Sequence, residues 1–278
     1  MRLTRPLADT VLVGLAAWCS GCIWGLLPAA TPAPRLAVAP RERTLLVAVL
    51  DDMRPPGARD LQGHADTLLL LRRGPSGIRV LAIPRDTWLA PLGTKANGAT
   101  WRLPPRAARL ALGRAIGVRI DGHVVLTMES VQRAVDLMGG IEANVPHPLH
   151  DADRTAGWEI DLPAGRQHMD GRRAVQWLRY RGQGSDLDRM RRLAALAPQL
   201  VRGVPGPSGL LTWARRLAGT WTCDEPVHEW GAWCAAGRRG VTWRTWPGRA
   251  GRVGGRWVWL GETEGPGRLL DRETDQSR

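Results

Sequence analysis

Short aliphatic runs that end in charged residues alternate with helix-spaced segments through the middle of this chain, and that alternation leaves few architectures open. Thr44 to Leu50 is the first run and delivers Asp51-Asp52 at its carboxyl end. Thr67 to Leu71 and Val80 to Ile83 read as two more buried strands, joined through a turn at Gly74-Pro75-Ser76-Gly77, and His123 to Thr127 as another. Ala107 to Ile116 is a helix closed by Gly117. Val131, Val135 and Met138 space one face of a second helix, which ends at Gly139-Gly140, and Ile141 to Val145 resumes extended structure. Gly171 to Leu178 is helical, and Ser185 with Asp188 opens a helix from Asp186 to about Ala197, where Pro198 is expected to stop or kink it. Strands interleaved with helices predict an α/β fold: an α-β-α sandwich with a mixed central sheet and ligand at the carboxyl ends of its strands.

Four stretches in this frame carry chemistry: Ala65-Asp66-Thr67, Ile83-Pro84-Arg85-Asp86-Thr87, Arg179-Tyr180-Arg181, and Asp186 through Arg192. Each supplies an acid, a base or a spaced pair of arginines beside an apolar segment. Two carboxylates suit a hard cation and guanidinium forks suit phosphate oxygens, so together they suit a pyrophosphate beside magnesium. Asp66 precedes one predicted strand and Asp86 follows another. They meet at one sheet edge only if those strands run antiparallel, which the short turn favours. Arg179 and Arg181 point to one side only in an extended segment, which requires the preceding helix to end by about Leu178. Arg189 and Arg192 lie three apart on one helix face, near its positive end, and Arg191 points elsewhere. Lys95 is a looser candidate in a loop. The competing reading of any one arginine is an ordinary surface charge.

The chain has 278 residues, with Lys+Arg 39 against Asp+Glu 26 and a net charge of +13. Such an excess favours anionic partners, but no interleaved basic-aromatic array, zinc spacing or basic arm points to nucleic acid. Arg2 and Arg5 precede an uncharged run from Thr10 to Pro34, long enough to match the roughly 20 apolar residues that cross a bilayer. Basic residues on the short side predict a single-pass signal anchor with a cytoplasmic N-terminus and the bulk of the chain outside. A cleaved signal peptide is the rival, and Cys22 after Ser20-Gly21 gives an incomplete lipoprotein signature. Cys223 and Cys234 then fall in the exported part, where an oxidising exterior permits a disulfide between them.

The expected organisation is a cytoplasmic stub and anchor over 1–34, a spacer over 35–43, a catalytic domain over 44–204 and a tryptophan-rich extension over 205–278 packed on the same domain. Eight of the 14 tryptophans fall in that tail, from Trp213 to Trp259. An edge extension of the domain is the plainer reading, a glycan-stacking surface the functional one.

From about Thr44 to Val201 the chain resembles the catalytic domain of the LytR-CpsA-Psr family. The resemblance is carried in order by Asp66-Thr67, Ile83 through Thr87, Lys95-Ala96-Asn97, Gly117 through His123, and Val135 through Ile141. It continues through Leu162 to Gly165, Met169 through Ala174, Arg179-Tyr180-Arg181, and Asp186 to Arg192. It implies a membrane-anchored enzyme of the bacterial envelope that moves a glycopolymer from a polyprenyl-pyrophosphate carrier onto peptidoglycan. It also implies Mg²⁺ on Asp66 and Asp86. Arg85, Arg179 and Arg181 would stabilise the transition state, with Lys95, Arg189 and Arg192 completing the pyrophosphate site. Val124, Val131, Val135 and Leu137 are candidates for a lipid groove, although the same spacing makes an ordinary core.

The chain departs from the family pattern at four places. His64 stands for an arginine, Val49 for a glycine, Leu193 for a glutamine, and Asp188 for a glycine. These changes bear on turnover more than on fold, and they keep open a non-catalytic polyprenyl-phosphate binder or envelope sensor.

Overall fold

The computed structural model describes residues 42–50, 64–153, 158–180, 186–262 and 265–271. The predicted anchor and Asp51-Asp52 lie outside them. No helix among the described residues is long and apolar enough to cross a membrane.

In chain order the strands are β1 (Arg43–Leu50), β2 (Ala65–Gly74), β3 (Gly77–Ile83), β4 (Trp88–Leu89), β5 (Thr94–Lys95), β6 (Gly122–Thr127), β7 (Ile141–Val145), β8 (Leu149–Asp153), β9 (Trp158–Leu162), β10 (Gly165–Met169), β11 (Trp221–Cys223), β12 (Val241–Thr245), β13 (Gly248–Val253) and β14 (Arg256–Gly261). The helices are α1 (Ala96–Arg102), α2 (Pro105–Ile116), α3 (Met128–Leu137), α4 (Gly171–Arg179), α5 (Asp186–Gly203), α6 (Pro207–Arg216), α7 (Val227–Arg239) and α8 (Pro266–Asp271).

Six strands form the central sheet in the order β11-β6-β1-β2-β3-β12. It is mixed: β1 runs parallel to β6 and β12 parallel to β3, while β1–β2, β2–β3 and β11–β6 are antiparallel. Both edge strands come from the tail. Alternation along β1 assigns its side chains to two layers. Leu46, Ala48 and Leu50 join Leu68, Leu70, Leu81 and Ile83 in one core, which α2 closes with Leu112 and Ile116 and α8 with Leu269 and Leu270. Leu45 joins Ile78, Val80 and Val124 on the other face, under Trp233 and Ala236 of α7. Burying each of these leucines stabilises the sandwich by about 1.5–3 kcal/mol. A third cluster ties β7 and β10 to α4 and α5 through Ile141, Met169, Trp177 and Leu196.

The expected antiparallel β2–β3 pair is present, with Gly74 opposite Gly77 across Pro75-Ser76. Gly77 has φ 141°, and an added Cβ would sit 2.3 Å from the Gly240 carbonyl oxygen, so no side chain fits there. The same holds where α4 crosses α3: a Cβ on Gly171 would meet the Gln132 carbonyl at 2.0 Å. That close approach explains the glycine after Met169-Asp170, where Asp170 caps α4 by accepting from Arg173 N–H at 2.8 Å.

One expectation needs correction, and one open question is answered. Pro198 does not end its helix: α5 runs on to Gly203 with Pro198 inside it, held by Leu196 and by Leu193 and Leu200 in the third cluster. Packing outweighs the hydrogen bond that proline removes. Cys223 and Cys234 are both free thiols. Cys223 Sγ accepts from the Glu225 N–H at 3.3 Å, and Cys234 Sγ donates to the Pro205 carbonyl at 3.4 Å, so each thiol has a separate backbone partner.

Candidate functional site

The β2–β3 register builds the centre of the site. Leu68 pairs with Ile83, so the start of β2 faces the residues just beyond β3. Asp66 therefore meets Arg85, whose Nη1 donates to Asp66 Oδ1 at 2.5 Å. The second oxygen is taken from another layer: Arg189, in the first turns of α5, donates from Nη1 to Oδ2 at 2.7 Å and from Nη2 to the Asp66 carbonyl. Asp66 is 5% exposed and Arg189 7%. The buried Asp66 carboxylate thus sits between two guanidiniums, and a buried charge of this kind persists only when paired.

Asp86 sits in the turn after β3, closed by the Thr87 N–H donating to the Pro84 carbonyl at 2.9 Å. The start of α1 holds that turn from one side, with Asn97 N–H on the Arg85 carbonyl and Ala96 N–H on the Thr87 carbonyl. The tail holds it from the other, with Trp259 N–H on the Asp86 carbonyl at 2.9 Å. Lys95, at the end of the β4–β5 hairpin, donates from Nζ to Asp86 Oδ1 at 2.7 Å.

Arg179 is the last residue of α4, and Tyr180 turns into extended backbone at φ −52°, ψ 121°. The helix thus ends one residue later than the clamp geometry required. Arg181 and the Asp186 side chain lie outside the described residues. Arg192 donates from Nη2 to the Tyr180 carbonyl and rests over its ring at 5.9 Å. Burial lowers the Arg192 pKa from its ordinary value, and Asp188 partly offsets this. Arg189 and Arg192, three apart on α5, therefore connect Asp66 to the carboxyl end of α4. Arg191 pairs with Asp188 on the exposed side, as the spacing predicted.

Beside this cluster an apolar cavity of about 240 Å³ opens between the second sheet face and helices α3, α5 and α6. Val47, Val49, Leu69, Val124 and Leu126 form its floor, and Val131, Leu193 and Trp213 are among its walls. Arg189 is the charged side chain in that lining. Val124 and Val131 thus fall where the groove reading put them. Val135 is fully buried in the neighbouring core, and Leu137 is not part of the lining. Leu193, the departure from glutamine, adds apolar wall.

Sequence reasoning missed two connections. Arg189 was assigned to phosphate, and its bond to Asp66 needed the packing of α5 on the sheet. Trp259 gave no signal of reaching Asp86, because the two lie 173 positions apart in the chain.

The donor set suits a hard cation. Among the described residues no group of three or more histidines, cysteines and acids gathers, and Asp66 and Asp86 are the carboxylates that the sequence reading assigns. Magnesium on phosphate commonly uses one or two carboxylates, with water and phosphate oxygens completing its shell. The partners of Asp66 and Asp86 among the described residues are cationic side chains, Arg85 and Arg189 on the first and Lys95 on the second.

Fold and site define a class: an α/β sandwich whose sheet end carries an acid–guanidinium cluster against an apolar cavity. Residues 40–212 match the model of the LytR_cpsA_psr family, and the chain belongs to that family. An uncharacterised protein of Staphylococcus aureus is 28% identical over 166 residues, 56% of this chain and 41% of that protein, so the match spans less than half of the relative. Among solved structures, protein gbs0355 of Streptococcus agalactiae superposes with a TM-score of 0.72 at 13% identity, covering 86% of this chain and 91% of that one. A LytR-Csp2A-Psr enzyme of Actinomyces oris gives 0.63 at 22% identity, covering 82% and 88%. TagT bound to LI-WTA gives 0.64 at 16% identity, covering 83% and 88%. These likenesses show the shared mixed-sheet fold.

Proposed function

We propose that this chain transfers a glycopolymer from a polyprenyl-pyrophosphate carrier to a sugar hydroxyl of peptidoglycan, outside the cytoplasmic membrane to which residues 1–34 anchor it. The observation that carries the reading is Arg189, which both lines the apolar cavity and holds Asp66. One side chain thus marks where an apolar tail would end and an anionic head begin. Membership of the family supports the same reaction class.

In this reading the cavity takes the prenyl chain, each buried methylene contributing about 0.8 kcal/mol. The pyrophosphate lies at the Arg189 end. Arg85, Arg179 and Arg181 bind its non-bridging oxygens and stabilise the charge that develops as the phosphoryl group transfers. Lys95 and Arg192 add positive charge around it. A magnesium ion held by Asp66 and Asp86 would supply further neutralisation of the phosphate oxygens. The acceptor oxygen bonds to the glycopolymer-side phosphorus, the bridging P–O bond breaks, polyprenyl phosphate leaves, and the hydroxyl proton passes to a nearby base or water.

The test is release of polyprenyl phosphate from a synthetic polyprenyl-pyrophosphate glycan, with magnesium or with chelator, in wild type and Asp86→Ala. Magnesium-dependent release that the substitution abolishes supports the enzyme and the metal site together. Tight binding without release would instead make the chain a carrier-lipid binder.

A further inference from the structure

The tail hairpin that reaches Asp86 also carries an exposed aromatic face. β13 and β14 pair antiparallel from Gly248↔Gly261 to Val253↔Arg256. Gly254 and Gly255 connect them at φ 55° and 76°, the two positive values a type I′ turn needs. Paired residues share a face, so Ala250, Arg252, Trp257 and Trp259 lie on one side. Trp257 and Trp259 are two residues apart on one strand, about 7 Å.

The two indoles differ in how they are held. Trp259 is half-buried and fixed, its backbone N–H on the Asp86 carbonyl at 2.9 Å and its indole N–H on the Trp246 carbonyl at 3.3 Å. Gly248 leaves room for it, since a Cβ there would come within 2.6 Å of the indole nitrogen. Trp257 is 62% exposed, with the Arg252 guanidinium 4.5 Å from its ring centre. Arg249 and Arg256, paired with Leu260 and Val253, are exposed on the opposite face of this hairpin. The aromatic face thus starts at the turn that bears Asp86 and runs outward toward the hairpin tip.

We propose that this face is the acceptor subsite, taking a strand of N-acylated sugars that carry carboxylates. It rests on the reading that a sugar hydroxyl attacks at the Asp86 end. Indole faces present a broad apolar surface to the C–H side of a pyranose, and two of them about 7 Å apart offer successive stacking positions. Arg252 supplies charge complementary to carboxylates on this face, and over the ring it restrains Trp257 in place. A bilayer contact is the competing occupant. Among the described residues, however, the exposed large apolar side chains are Leu110 and Trp257, so no second largely exposed apolar side chain stands beside Trp257 to insert with it. The face also leads to the reaction centre, which a membrane contact does not require.

The test uses the full chain and polymer-free glycan strands of alternating N-acetylated hexosamines, every second one bearing a carboxylate, with affinity read by co-sedimentation for wild type, Trp257→Ala, Trp257→Tyr and Arg252→Ala. Trp257→Ala is expected to weaken strand binding about threefold to tenfold, with Tyr restoring most of it. Arg252→Ala should weaken it less, and the loss should shrink at high salt. Binding of polyprenyl pyrophosphate by wild type, measured in parallel, tests the underlying reading separately: its absence sinks that reading whatever the strands do. The hairpin proposal is overturned if wild type does not bind strands, if Trp257→Ala binds them as wild type does, or if the Trp257 dependence appears on anionic phospholipid vesicles instead.

Discussion

Replacing Asp66 with alanine tests whether the centre of the site is a buried, mutually dependent charge cluster. Asp66 is 5% exposed and accepts from Arg85 at 2.5 Å and Arg189 at 2.7 Å. Arg85 has a partly exposed side chain and can turn to water, whereas Arg189 is 7% exposed and keeps its charge inside. Removing one partner of a buried pair costs about 3–5 kcal/mol, much of it the penalty on the charge left behind. For a domain of this size each kcal/mol lowers Tm by about 2–4 °C, so Asp66→Ala should lower it by about 6–20 °C. The control is Asp66→Ala with Arg189→Met, which removes both charges while keeping volume beside the apolar cavity. It should recover most of the loss, since an apolar replacement of a buried pair is often neutral. Urea denaturation followed by tryptophan fluorescence measures both. A single mutant within about 1 kcal/mol of wild type, or a double mutant whose losses simply add, would refute the argument that Asp66 and Arg189 are coupled.

Other predictions address function, pH and redox state. Arg179→Ala should reduce polyprenyl phosphate release on the order of 10³-fold, by analogy with arginine fingers, and unchanged turnover would remove Arg179 from the clamp. Leu193→Gln places an amide in the apolar cavity wall and should weaken binding of a polyprenyl chain more than of inorganic pyrophosphate, as titration of the two ligands would reveal. Burial holds the His123 pKa below its ordinary 6.5 despite the nearby Asp224. Above pH 6.5 His123 is therefore neutral in the fold, and its contribution is full there and lost as pH falls through the lower folded value. A Tm–pH profile should decline on that acid side, and His123→Gln should flatten the decline. Burial pushes the Cys223 thiol up to about 11 and raises that of Cys234. Peptide mapping at pH 8 should find both unlabelled by iodoacetamide until the protein unfolds, and a mapped disulfide between them would contradict the free thiols.

Legibility followed the range of the interactions. The β2–β3 pair was readable because the Gly74-Pro75-Ser76-Gly77 turn encodes it locally, and from that pair the meeting of Asp66 with the Arg85-Asp86 turn followed by register alone. The end of α4 near Arg179 was legible to within one residue, because helix termination is also local. Pro198 misled because a local rule met a helix face packed into a core. The pairing of the cysteines stayed open in the sequence because composition and compartment say nothing of where two side chains point.

Sequence alone determined the α/β alternation, the acids and arginines and their order, and the family resemblance that the match over 40–212 bears out. Those features depend on period, turn chemistry and residue type, all of which act within a few positions along the chain. Tertiary structure alone decided that Arg189 of α5 takes the second oxygen of Asp66, that Leu193 walls a cavity, and that a hairpin from the tail holds the Asp86 turn. Each of these joins segments far apart in sequence, and no short-range pattern encodes such a contact. It exists only once the sheet and helices have packed and brought the buried charges within reach of one another.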